Sequence, residues 1–159
     1  MFRTGDKVLH PLHGVAVIER TEEKEVLGAV RDYYILNLFM KKMKIMIPVD
    51  NAEEVGIRKL SNTEHLQEAF SILKNKKVKE MPANWNRRYK NNIDLIKTGD
   101  IRKVAEVMKN LKEKERKKGL SMGEKKMLDT VTQLLIGEIM HSKKVKQDKA
   151  CTILEQAFH

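Results

Sequence analysis

Ser61-Asn62-Thr63-Glu64-His65-Leu66-Gln67-Glu68-Ala69-Phe70-Ser71-Ile72-Leu73 is where this 159-residue chain changes its period. Ser61 and Glu64 have capping-box spacing, in which each side chain satisfies a free N–H at a helix start. Leu66, Ala69, Phe70 and Leu73 then fall on one helical face. Before this stretch the chain reads as strands, and after it as helices. The fold class expected is α+β: a small β-barrel or bent antiparallel sheet, followed by an all-helical domain.

Working back from Ser61, Lys44-Ile45-Met46-Ile47-Pro48-Val49 reads as a final strand, preceded by a polar turn at Met40-Lys41-Lys42-Met43. Tyr33-Tyr34-Ile35-Leu36-Asn37-Leu38-Phe39 is rich in β-formers but too continuous for its faces to be assigned. Gly28 marks a turn. Val15-Ala16-Val17-Ile18-Glu19 and Lys7-Val8-Leu9-His10 are strands separated by Pro11 and Gly14. Short strands this close together suggest a strongly bent sheet or a barrel. Pro48 cannot donate to a ladder, so its strand lies at an edge or ends there.

Working forward, the first helix fades into Lys74-Asn75-Lys76-Lys77, a linker. Pro82 and Asn84 start a second helix, carrying Tyr89, Ile93 and Ile96 and ending near Thr98-Gly99. Asp100 caps a third, with Ile101, Val104, Ala105, Met108 and Leu111, which runs through 112–118 to Gly119. Ser121 and Glu124 form a second capping box before Met127, Leu128, Val131, Leu134, Leu135, Ile139 and Met140. A last helix holds Ala150, Ile153, Leu154, Ala157 and Phe158. The expected division is a β domain over 1–60, a connecting helix and linker over 61–80, and a helical domain over 81–159.

Within Pro82-Ala83-Asn84-Trp85-Asn86-Arg87-Arg88-Tyr89-Lys90 sits the one tryptophan of the chain. The pattern places Arg87 and Arg88 in the first helical turn, where the helix dipole makes each cation unfavourable by roughly 0.3–1 kcal/mol. An external anion would relieve this, and phosphate is the common ligand of a helix start. Lys125 and Lys126 repeat the arrangement after Ser121. Two readings of Trp85 stand: an aromatic contact to nucleic acid beside phosphate-seeking cations, or a core anchor.

The charge is placed unevenly. Residues 1–60 carry 10 Lys/Arg against 9 Asp/Glu, and residues 61–159 carry 22 against 13, out of a net +10. The helical part therefore reads as facing a polyanion, against the simpler reading of Lys-rich helices in solvent. The lone cysteine, Cys151, excludes an intramolecular disulfide and fits a reducing compartment. The polar opening Phe2-Arg3-Thr4-Gly5-Asp6 is no signal peptide, and no apolar run approaches a membrane span. A soluble, cytoplasmic protein is expected. There is no P-loop, nucleophile elbow or dinucleotide fingerprint. His10 and His13 would need further ligands to hold a metal. No enzyme, cofactor, metal or small-molecule substrate is expected.

The sequence closely resembles the CarD/CdnL family of bacterial RNA polymerase-binding transcription regulators. The resemblance rests on Gly5-Asp6-Lys7-Val8, Pro11-Leu12-His13-Gly14, Ile47-Pro48-Val49-Asp50-Asn51-Ala52-Glu53, Asn84-Trp85-Asn86-Arg87-Arg88-Tyr89-Lys90, Gly99-Asp100, Lys103-Val104-Ala105-Glu106-Val107 and Gly119-Leu120-Ser121-Met122-Gly123-Glu124-Lys125. It implies a Tudor-like β module that docks on the β subunit of RNA polymerase, with Lys24, Met46 and Pro48 as contacts. It further implies a helical domain bound to promoter DNA at the upstream edge of the bubble, bringing the protein to the nucleoid through the polymerase. There Trp85 would wedge into the minor groove, with Arg87, Arg88, Lys90, Lys114 and Lys125 as the cations holding the backbone. Lys24, Met46 and Lys114 stand where some relatives carry arginine. Two rivals stand beside this: a freestanding, sequence-nonspecific nucleic-acid-binding protein, and a small hydrolase using His10 and His13.

Overall fold

The computed structural model describes residues 2–39, 41–60, 62–75 and 84–158. The expected turn residue Met40, the Ser61 cap, the Lys76-Lys77 linker and the Pro82 helix start lie outside these. The chain divides into two compact units, 1–60 and 61–159, and its fold is α+β.

In the first unit β1 (Lys7–His10), β2 (Gly14–Val26), β3 (Ala29–Leu38), β4 (Lys44–Pro48) and β5 (Arg58–Lys59) form one antiparallel sheet, ordered β4-β3-β2-β1-β5. It is a bent sheet and not a closed barrel. The chain between β4 and β5 is spent on a 3-10 turn (Val49–Asn51) and α1 (Ala52–Val55), and β5 pairs with β1 alone. Pro48 is the last residue of β4, an edge strand, as its missing N–H requires.

Alternation along the strands resolves the faces. Val8, Ala16, Ile18, Tyr34, Leu36 and Leu38 form one core with Ala52 and Ile57, against which Ile45 and Ile47 of β4 also pack. Tyr33 and Ile35 are buried as well, which is why the run looks continuous. The N-terminus is tied to this core, since the Phe2 N–H donates to Tyr34 Oη at 3.1 Å and the two rings meet edge to face.

β2 and β3 continue past the expected end at Glu19 as a two-stranded ribbon, Arg20–Val26 paired with Ala29–Ile35. Glu19 is the extra residue of a bulge at its base, the usual device for bending a strand. The ribbon is mostly polar and exposed, so no apolar alternation marks it. Its turn is Leu27-Gly28, with φ of 52° and 80°, the two positive values of a type I′ hairpin turn.

His10 organises the turn after β1. Its Nδ1 accepts the backbone N–H of Leu12 at 3.1 Å and of His13 at 3.2 Å, so this nitrogen must stay unprotonated. Burial, with a smaller contribution from His13, pushes its pKa down to about 4. A histidine in the unfolded chain protonates near pH ~6.5, so between these values the unfolded state binds more protons. Stability is full above the unfolded pKa and falls as the pH drops towards 4, by up to about 3 kcal/mol. The difference in urea midpoint between wild type and His10→Asn, followed from pH 7 to 4, is expected to shrink with acidification. A constant difference would show that the native turn tolerates the proton.

In the second unit α2 (Thr63–Lys74), α3 (Trp85–Lys97), α4 (Ile101–Lys117), α5 (Met122–Lys143) and α6 (Gln147–Gln156) pack as a helical domain. The N-cap of α2 is Asn62, whose Oδ1 accepts the His65 N–H at 2.8 Å, so the helix starts one residue later than a Ser61 cap implies. α2 buries Leu66, Ala69 and Leu73 and packs on α4, making it a member of this unit. Arg102 of α4 reinforces the pairing by bridging Asp100, its own cap, to Glu68 of α2. α4 touches α2, α3 and α5 and buries Ile101, Val104, Ala105, Val107, Met108 and Leu111. α6 ends at Gln156, so Phe158 falls beyond it. Among the described residues no helix is long and apolar enough to cross a membrane.

Candidate nucleic-acid interface

α3 starts at Trp85 because Asn84 precedes it in an extended conformation and its Oδ1 accepts the Arg87 N–H at 3.2 Å. α5 starts at Met122 because the second capping box forms in full. Ser121 Oγ accepts the Glu124 N–H at 3.2 Å, and Glu124 Oε1 accepts the Ser121 N–H at 3.3 Å. These two helix starts meet, and the site is built from their contacts.

Trp85 Nε1 donates to Ser121 Oγ at 3.2 Å. The indole stacks on Tyr89, with centroids 5.2 Å apart and planes 17° from parallel. Both rings lie over Gly123, where a Cβ would come to 3.7 Å from Trp85 Cζ2 and from Tyr89 Cε2. An alanine would fit there, in ordinary contact with both rings. The Ser121 hydroxyl is fully used, accepting from Trp85 and the Glu124 N–H while donating to Glu124 Oε1 at 3.1 Å. Trp85 nonetheless keeps 44% of its surface exposed. Its N–H and part of its ring surface are held, and the rest of the ring reaches solvent.

Glu124 lies beneath, 2% exposed. Arg88 Nε donates to its Oε2 at 3.2 Å, and Lys114 Nζ donates to its Oε1. Burial alone would raise the pKa of this carboxyl, but Lys114, Ser121 and Arg88 outweigh it and hold the pKa below the usual range. For Arg88 the anion that the helix start requires is thus Glu124, supplied from within the fold. Arg88 and Lys114 share this one carboxylate.

Arg87, Lys90 and Lys125 are exposed. Arg87 and Lys90 are three apart on α3 and share a side of it, while Lys125 lies on the first turn of α5 beside the exposed Lys126. The structure therefore brings Trp85, Arg88 and Lys114 together around the α5 start, with Lys125 close by in the chain. Tyr89, Ser121, Gly123 and Glu124 are the residues that sequence reasoning missed as parts of a site. The capping box flagged Ser121 and Glu124 only as a helix start.

In the first unit Lys24, Met46 and Pro48 share one face of the sheet. Met46 pairs with Ile35 and Pro48 with Tyr33 on β3, while Lys24 of β2 pairs with Arg31. The period of two then puts all three side chains on the same side, away from Ile45 and Ile47. Met46 is 42% exposed, and Lys24 lies 3.5 Å from Glu22. The His10 and His13 rings meet at a tilt, with centroids 4.6 Å apart and planes at 53°. Among the described residues no group of three or more His, Cys, Asp or Glu could hold a metal ion.

The architecture is that of a two-module protein, a sheet module followed by a helical one. Residues 2–61 match the CarD-like/TRCF RID domain, and residues 68–155 match the CarD C-terminal domain. The chain belongs to the CarD-like family. It is 36% identical over 139 residues to a Bacillus subtilis (strain 168) protein named "Putative transcription factor YdeB", covering 87% of this chain and 90% of that one.

The geometry makes Glu124 the support of the site. Glu124→Gln keeps the volume but removes the charge that Arg88 and Lys114 meet at this position, and should destabilise the helical unit by about 2–3 kcal/mol. Chemical unfolding followed by helical circular dichroism measures this. A loss below about 0.5 kcal/mol, the size of an exposed pair, would show that the carboxylate does not hold the site.

Proposed function

We propose that this protein is a transcription regulator that binds RNA polymerase through its sheet module and promoter DNA through its helical module. The observation that carries the reading is Trp85, a half-exposed indole fixed by Ser121 on a basic surface, in a chain that matches CarD-like modules over both of its units. The sheet module docks on the polymerase β subunit, with Lys24, Met46 and Pro48 on the contacting face. Trp85 enters the minor groove at the upstream edge of the promoter bubble. Arg87, Lys90 and Lys125 meet phosphates, and Arg88 and Lys114 add positive charge while holding Glu124.

The physics is that of differential binding. A wedge in intact duplex costs a few kcal/mol of unstacking, and less where strands are already parting. A protein that holds an indole at that junction favours the opened promoter over the closed one. The cations supply salt-dependent affinity with little sequence preference. Docking on the polymerase supplies the location, because tethering raises the effective concentration of a weak DNA binder. No bond is made or broken by the protein in this role.

Open promoter complexes formed by the cognate RNA polymerase should last longer with the protein than without it. Trp85→Ala should lose most of that extension while still binding the polymerase. If both proteins extend the lifetime equally, the wedge is wrong. If neither does so on any of several promoters, and no complex with the β subunit forms, the freestanding nucleic-acid-binding reading replaces this one. Lys125→Ala should weaken binding to unrelated duplexes alike and reduce the slope of log affinity against log salt by about 1. An unchanged slope would remove Lys125 from the phosphate contacts.

A further inference from the structure

Among the described residues of the helical unit, two large hydrophobic side chains remain exposed, Trp85 and Met122. They are neighbours. Met122 sits between Ser121, which holds the indole N–H, and Gly123, over which the indole and Tyr89 lie. Met122 is the first residue of α5 and is 86% exposed, twice as open as the tryptophan. Neither burial nor helix capping accounts for an apolar residue there, since the capping box is completed by Ser121 and Glu124 alone.

Its surroundings are cationic. Lys125 and Lys126 follow at the i+3 and i+4 positions and are exposed, so they share a side of α5 with Met122. The exposed Asp129, at i+7, limits this basic surface to the start of the helix. An apolar side chain beside an exposed indole, flanked by lysines, suits a ligand with a stacked apolar interior and an anionic rim. Duplex DNA has that composition, and methionine is among the side chains that enter base steps as wedges. Its unbranched, polarisable thioether adapts to an irregular surface at little steric cost.

The geometry points to Met122 as a second apolar DNA contact, placed beside Trp85 at the same groove. This rests on the proposed DNA-binding role of the helical module and adds to it a residue that reads no phosphate. Such a contact releases no counterions, so it contributes affinity without contributing to salt dependence. That separates it from the neighbouring lysines.

The test uses the full-length protein and a fluorescein-labelled forked duplex, with anisotropy measured over a range of salt. Met122→Ala should weaken binding about threefold to tenfold, the scale of losing part of one buried side chain. Its salt slope should stay that of wild type, and Met122→Leu should restore most of the affinity. The thermal unfolding midpoint should not move, because the side chain is exposed and alanine is a good helix former. If Met122→Ala binds the fork like wild type while Trp85→Ala binds it weakly, the inference is overturned and the DNA-binding reading stands. If neither variant weakens binding, both fall. A loss of affinity accompanied by a flattened salt slope would also overturn the inference, since the effect would then run through the lysines.

Discussion

A carboxylate shielded from water at a helix start stays charged only where donors converge on it, and in Glu124 four donor groups do so. Lys114, Arg88 and both the hydroxyl and the N–H of Ser121 reach its two oxygens. These come from three helices, so one side chain fixes α3, α4 and α5 against each other at a single point. The low local dielectric strengthens each of these contacts and makes the loss of any one expensive. Ser121 extends the network by a last step to the indole of Trp85. The orientation of the exposed aromatic is therefore inherited from a charge that solvent barely reaches.

The two units differ in charge and in the surface they present. The sheet unit is near electrical neutrality, leaves β4 and β5 as edges, and places Lys24, Met46 and Pro48 on one face. The helical unit carries almost all of the positive excess and one rigid aromatic site. A protein surface and a polyanion make opposite demands: the first favours a mixed, partly apolar patch, the second a sustained field. With the partners proposed above, separating the two surfaces into modules lets each be tuned without compromising the other. The pair of cations at the α3 start is tolerable because one of the two, Arg88, meets the Glu124 carboxylate from within the fold.

Much of the fold is legible because it depends on local chemistry. Asp100, the Ser121–Glu124 box, Gly119 and the apolar stripes of α4 and α5 set those helices within a residue or so of where the pattern puts them. Pro48 ends an edge strand for the reason its ring dictates. The outer ribbon of β2 and β3 was not legible, since hairpin pairing holds it and it buries little. The cap of α2 is Asn62, one residue past the Ser61 that the spacing suggests, because both side chain types suit a cap and spacing alone does not choose between them. The sequence placed Trp85 and the cations at a helix start but could not reveal that a glutamate 36 residues from Arg88 would claim it. Spacing encodes neighbours on one helix; contacts between helices require the fold.

Trp85 is the sole tryptophan of the chain. Its ring is neither sealed in a core nor free in solvent, but held at a boundary by one hydrogen bond and a stacked tyrosine. Selective excitation of tryptophan therefore yields emission from one place, with no second indole to dilute the signal. Removing water from the open part of that ring, or laying a nucleobase against it, changes the wavelength and intensity of the light it returns. The protein thus carries an intrinsic optical probe where the starts of α3 and α5 meet, and no label need be added to follow it.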